Sequence, residues 1–189
     1  MKDVTILLLL IIIVVIAINY YIKNKDITLV KSNIDGRNYR VGEAPDKQEI
    51  ADLLGKINNN VIKLLESLKD SKDERFIRLR DRYNPDTLGE NLDNKSYKAY
   101  SLNKGEEIVL CLRNTDNSII KDMNTIMFVL LHELTHIMTN DVGHTDTFWD
   151  NMELLLKKGE EAGVYTPVDY SKSPVNYCGM NVNKSPYRF

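Results

Sequence analysis

An amphipathic pattern dominates the chain between residues 45 and 69. It begins at Pro45-Asp46, and its apolar residues recur at the helical period up to about Lys69. These residues are Ile50, Leu53, Leu54, Ile57, Val61, Leu64, Leu65 and Leu68. A stripe of this kind buries one face of a helix, so the pattern predicts a long helix packed on a core.

A shorter helix is predicted over residues 74–83, and Asn84-Pro85 ends it. Its arginines could contact phosphates, but acidic residues alternate with them, which favours a solvated face with local ion pairs. Strands are predicted over residues 97–102 and 107–113, joined as a hairpin by the turn Asn103-Lys104-Gly105. The second strand is apolar on both faces, so we expect other elements to cover both faces.

The apolar run at residues 126–131 predicts a buried helix, which Asp122 can cap. This helix continues into His132-Glu133-Leu134-Thr135-His136, an H-E-x-x-H motif. Positions four apart lie on the same helix face, so His132 and His136 can offer two imidazoles to one metal ion. Glu133 then stands beside the metal, in position to act as a general base.

His144 is the natural third ligand, because the turn at residues 140–143 can bring it back toward the same ion. Zinc suits three imidazoles and leaves a fourth position for water. The sequence therefore predicts a Zn²⁺ site formed by His132, His136 and His144, with Glu133 as the catalytic residue. The alternative is that these are core histidines, but that requires the motif, its helical context and the use of all three histidines to coincide. After His144, Thr145 can cap another helix, which Gly159 would end.

The segment from His132 to Trp149 resembles the WLM (Wss1-like) metalloproteases and the related SprT-like, or Spartan, proteases. The resemblance covers residues 108–180 and rests on the motif, on Gly143-His144 and on Phe148-Trp149. The composition, rich in Asn, Lys and Ile, and the tail 165–179 also resemble WLM-type proteins of large DNA viruses. The resemblance implies an α+β fold: a small zincin-like core with an active-site helix, a short antiparallel sheet and flanking helices. It also implies a strand near that helix which binds substrate as an added strand.

These observations predict a zinc-dependent endopeptidase in which Glu133 assists the attack of zinc-bound water on a peptide bond. The expected partner is a protein or peptide substrate, and the resemblance extends this to crosslinked or modifier-tagged proteins. A structural or scaffolding membrane protein that is stabilised by zinc, without protease activity, is the alternative. The intact Glu133 argues against it, because a structural site has no use for a base.

Residues 4–22 are nineteen consecutive uncharged residues, dominated by Leu, Ile and Val. A helix of this length spans about 28 Å, close to the hydrocarbon thickness of a bilayer. The sequence thus predicts a transmembrane anchor over residues 1–25, a linker over 26–44 with a short strand near its end, and a catalytic domain over 45–189. Lysines after the span place that domain on the cytoplasmic side of a single-pass membrane protein, or inside the virion if the protein is viral.

The net charge of −2 shows no excess of basic residues of the kind that nucleic-acid-binding proteins carry, so direct nucleic-acid binding is not expected. The two cysteines, Cys111 and Cys178, lack metal-ligand spacing and are interpreted as free thiols. Nothing in the sequence indicates an oligomeric state.

Overall fold

The computed structural model describes residues 5–6, 8–16, 26–92 and 99–189. Its strands are β1 (Ile27–Lys31), β2 (Asn38–Gly42), β3 (Leu88–Glu90), β4 (Ala99–Leu102), β5 (Glu107–Leu110), β6 (Val175–Tyr177) and β7 (Met180–Val182). Its α-helices from residue 26 onward are α1 (Lys47–Ser67), α2 (Glu74–Arg82), α3 (Met123–Met138) and α4 (Asp146–Glu161).

Five strands form one mixed sheet in the order β1-β2-β3-β5-β4. The outer pairs, β1/β2 and β4/β5, are antiparallel, whereas β3 is parallel to both β2 and β5. A parallel pair requires a long crossover connection, and α1 and α2 provide it between β2 and β3. The α+β class is therefore confirmed, but the prediction of an antiparallel sheet is wrong.

The segment 26–44, predicted as a linker, contributes β1 and β2 to this sheet. The turn between them is tied down by Asp35, which accepts hydrogen bonds from the Tyr39 hydroxyl at 2.5 Å and from the Asn58 amide of α1 at 2.9 Å. The second of these hydrogen bonds joins the β1/β2 turn to α1. The segment is therefore part of the sheet rather than a linker.

The amphipathic face of α1 is buried as predicted, with Ile50, Leu54 and Ile57 fully inaccessible to solvent. The β4/β5 hairpin is also confirmed, and Ile108 and Leu110 of β5 lie in the core. Helix α3 packs against α2, α4 and strands β4 and β5. Because neighbours surround α3 on several sides, its sequence is apolar around most of its circumference.

The last two strands form a separate hairpin, β6/β7, in the C-terminal segment. Its turn contains Cys178 and Gly179, both with positive φ, and Cys178 forms a disulfide with Cys111 at the end of β5. The prediction of free thiols is thus wrong. The two cysteines are 67 residues apart, and only the packing of the hairpin against the sheet brings them together.

The predicted membrane anchor is contradicted. Within the described parts of the chain, no helix combines the length and the apolar character needed to cross a bilayer. The described helical residues near the N-terminus are 5–6 and 8–16. The rest of the predicted span, residues 4, 7 and 17–22, lies outside the described residues. The single-pass membrane localisation that was inferred from this segment is therefore not supported.

Candidate metal centre

The three histidines of the chain meet at one point. Helix α3 places His132 and His136 on one face, with their ring centroids 5.1 Å apart. The chain then turns through Gly143, which has a φ of 83°, and returns His144 to that face. The Nε2 atoms of His132 and His144 are 2.9 Å apart, and one nitrogen from each of the three rings lies within 4.8 Å of the others. The structure thus brings the predicted ligands together, while their role as ligands stays a prediction.

The chemistry of this cluster fits a zinc ion. Nitrogens bound tetrahedrally at about 2.0–2.1 Å from zinc are roughly 3.3 Å from each other. This separation lies between the 2.9 Å of the His132–His144 pair and the 4.8 Å within which all three nitrogens are found. Burial, followed by the neighbouring histidines, lowers the pKa of His132 to about 3 and that of His136 to about 4. Both rings are therefore neutral near pH 7, which is the form that binds metal.

Two aromatic residues at the start of α4 hold the imidazoles in place. Phe148 is fully buried, and its ring centroid lies 4.9, 4.5 and 4.7 Å from those of His132, His136 and His144. Trp149 stacks on His144 with 5.5 Å between centroids and 23° between ring planes. Thr145 caps α4, as predicted, by accepting a hydrogen bond from the Phe148 amide.

Lys104 organises the loop that carries His144. Its ammonium group donates to the carbonyl oxygens of Thr139 and Asn140, each at 2.6 Å, and to that of Asp141 at 3.2 Å. Sequence reasoning missed this role, because Lys104 lies in the β4/β5 turn, 35 to 37 residues before its partners. Turn composition gives no signal for such a contact.

Two further contacts fix the end of α3 against its neighbours. Arg78 of α2 donates to the Met138 carbonyl oxygen at 2.5 Å. Asn151 of α4 donates to the Thr139 hydroxyl oxygen at 3.0 Å and accepts from Arg75 at 3.0 Å. Side chains from α2 and α4, together with Lys104 of the β4/β5 turn, therefore determine where the loop leaves α3.

Glu133 lies next to the imidazoles and is only 6% exposed. Burial raises the pKa of its carboxyl group to about 7, while the backbone N–H of Ser101 in β4 acts in the opposite direction. At neutral pH such a group can both accept and release a proton, which suits a general base. Glu133 also lines the same cleft as His132 and His144.

A family model of the WLM domain matches residues 34–186. The chain belongs to the WLM domain family. The matched region begins in the β1/β2 connection and ends just after β7, so it includes the whole candidate metal centre. The family predicted from the H-E-x-x-H segment is thereby confirmed.

Relatives of this WLM protein occur in large DNA viruses. It is 30% identical over 178 residues to an uncharacterized protein of Acanthamoeba polyphaga mimivirus, covering 89% of this chain and 90% of that one. An uncharacterized protein of Invertebrate iridescent virus 3 is 40% identical over 85 residues, 44% of this chain and 50% of that one. The crystal structure of Wss1 from Saccharomyces cerevisiae superposes with a TM-score of 0.51 at 24% identity, covering 65% of this chain and 89% of that one. The chain is thus a WLM-type protein of the large-DNA-virus kind with a Wss1-like fold.

Proposed function

We propose that this WLM protein is a zinc-dependent endopeptidase. The observation that carries the proposal is the cluster of three imidazoles, two of which, His132 and His144, line a cleft of about 800 Å³ together with the buried carboxyl group of Glu133. Membership of the WLM family and the Wss1-like fold support a metalloprotease-like function. A purely structural metal site has no need of a buried acid that faces an open cleft.

His132, His136 and His144 would hold the zinc ion. Zinc bound there would supply a Lewis acid that makes a water molecule more acidic and polarises a peptide carbonyl. Glu133 accepts a proton from the attacking water and passes it to the leaving amine. Its pKa of about 7, raised by burial, matches both halves of this transfer near neutral pH.

The substrate would be a protein or peptide that binds in an extended conformation along β4. Among the described residues, β4 pairs only with β5 and forms the outer strand of the sheet. Ala99 of this strand lines the cleft, and Ser101 lies beside Glu133. Backbone hydrogen bonds from an added strand would hold a peptide across the site without requiring a particular sequence.

The test combines zinc content with cleavage of an unfolded protein such as casein. Wild type should bind one zinc per chain and cleave. Glu133→Gln should retain zinc and lose about 10²–10⁴-fold in kcat/KM, because only the proton acceptor is removed. His144→Ala should lose both zinc and activity.

Glu74→Gln provides the matched control, because Glu74 is an exposed glutamate at the start of α2. It should behave as wild type in both measurements. Cleavage by Glu133→Gln at the wild-type rate would contradict the proposed role of this residue. Zinc in a folded wild type that cleaves nothing would favour the alternative, a zinc-stabilised structural protein.

A further inference from the structure

The cleft extends well beyond the candidate metal centre. Its volume of about 800 Å³ is within the range of sites that bind ligands larger than a single side chain. His132, Glu133 and His144 occupy one part of its wall, while most of the remaining lining surface is apolar. A peptide whose scissile bond lies at Glu133 would therefore place a neighbouring residue against this apolar part.

Three elements build the apolar part. Helix α3 contributes Phe128 and Val129, which lie one turn before His132 and Glu133. Helix α4 contributes Met152, and strand β7 contributes Val182. All four side chains are less than 10% exposed, so packed core residues form this part of the wall. Exposed residues such as Met180, Asn183 and Lys184 line the rim of the cleft.

We propose that this cavity selects substrates with a large apolar residue next to the scissile bond, and that Val182 is a specificity-determining residue. This inference rests on the proposed endopeptidase function. An extended peptide advances about 3.3 Å per residue, so the residue adjoining the scissile bond lies within reach of the cavity. Burying its apolar side chain against Val182 and Met152 contributes favourable free energy, whereas a charged side chain there would lose its hydration.

The wall that contains Val182 is held in place on both sides. On the N-terminal side of Val182, two contacts attach the hairpin to the end of β5. They are the Cys111–Cys178 disulfide and the hydrogen bond from the Tyr177 hydroxyl to the Cys111 carbonyl oxygen, at 2.7 Å. On the C-terminal side of Val182, Arg188 forms an ion pair with Glu153 of α4. A preformed wall discriminates between side chains by size, because it does not rearrange to admit larger ones.

The experiment uses blocked peptides Gly-Gly-X-Gly-Gly in which X is Phe, Leu, Ala, Asp or Lys. Cleavage is followed by mass spectrometry on the zinc-loaded protein. Binding is followed separately in Glu133→Gln, through the fluorescence of Trp149, the single tryptophan of the chain and a residue of the cleft wall. Wild type should cleave next to Phe and Leu at least about tenfold more efficiently than next to Ala, Asp or Lys, and the affinities should follow the same order.

Val182→Phe should shift the preference toward small residues, because the added ring narrows the apolar part of the cleft beside Met152. The matched control is Val175→Phe on β6, the residue that pairs with Val182 in the hairpin but does not line the cleft. This control should keep the wild-type order. A new preference for small residues cannot result from misfolding, which would lower all rates together.

Equal binding and cleavage of all five peptides would overturn the inference while leaving the endopeptidase function intact. So would a Val182→Phe variant that keeps the wild-type order. If no peptide and no protein is cleaved but fluorescence still ranks Phe and Leu first, the cavity preference stands and the endopeptidase function fails.

Discussion

A single residue, Lys104, can help to position the candidate metal centre without being one of its predicted ligands. Its ammonium group lies among three carbonyl oxygens at the C-terminal end of α3, where the helix dipole favours positive charge. Those carbonyls belong to the loop that returns His144 to the cluster. The position of the third imidazole therefore depends on a charge supplied from the β4/β5 turn.

We expect Lys104→Met to weaken zinc binding about 10–100-fold, the usual effect of losing a contact that positions a ligand. Methionine keeps most of the aliphatic stem but removes the donor, so the loop loses its anchor. Zinc affinity would be measured by competition with a chromophoric chelator.

The control is Lys72→Met, a change at an exposed lysine in the connection before α2, which should leave affinity unchanged. An unaltered affinity in a folded Lys104→Met protein would show that the loop holds His144 without help from Lys104.

At the level of elements, the β6/β7 hairpin depends on its link to β5. It is a short hairpin of two three-residue strands, and isolated hairpins are at best marginally stable in water. The disulfide and the buried Tyr177 hydroxyl attach it to the sheet. The hairpin therefore gains its stability from the sheet on which it packs.

Cys178→Ser should reduce the free energy of unfolding by about 2–4 kcal/mol, because the loop of 67 residues is no longer closed in the unfolded chain. Urea denaturation under oxidising conditions would measure the difference.

Addition of a thiol reductant should produce the same loss in wild type and no further change in Cys178→Ser. Identical denaturation midpoints for oxidised wild type and the variant would contradict a stabilising disulfide.

Across the whole molecule, an ion pair links the end of the chain to α4. The Glu153 side chain is 6% exposed and accepts hydrogen bonds from Arg188, and it also pairs with Lys157 at 2.8 Å. Arg188, followed by Lys157, holds the pKa of Glu153 at about 2, below its ordinary value of 4.5. The charged form is therefore favoured in the folded state.

The depressed pKa predicts a specific loss of stability in acid. Since the folded-state pKa is the lower one, the stabilisation is complete above about pH 4.5 and disappears as the pH falls toward 2. We expect Glu153→Gln to lack this component, of about 1–3 kcal/mol, so its unfolding free energy should fall less steeply over that interval.

Urea denaturation between pH 2 and 6 would test this, with Glu161→Gln, at an exposed glutamate of the same helix, as the control. Parallel pH profiles for wild type and Glu153→Gln would rule out a role for Glu153 in the acid response.

The sequence by itself determined the features that depend on near neighbours along the chain. Helices α1 to α4 follow from apolar periodicity and from caps such as Asp122 and Thr145, each of which acts within three residues. The convergence of His132 and His136 follows from the same rule, because residues four apart share a helix face. Local geometry was thus enough to predict the candidate site, and the resemblance of the motif segment to known proteins indicated the WLM family.

Only the tertiary structure decided the rest, because it depends on contacts between residues that are distant in sequence. The parallel strands, the Cys111–Cys178 pair, the support from Lys104 and the cleft wall at Val182 all join segments separated by dozens of residues. Apolar periodicity carries no information about which distant segments meet. The predicted linker failed for a related reason: it was inferred from local composition, whereas pairing in the sheet decides whether such a segment is a strand.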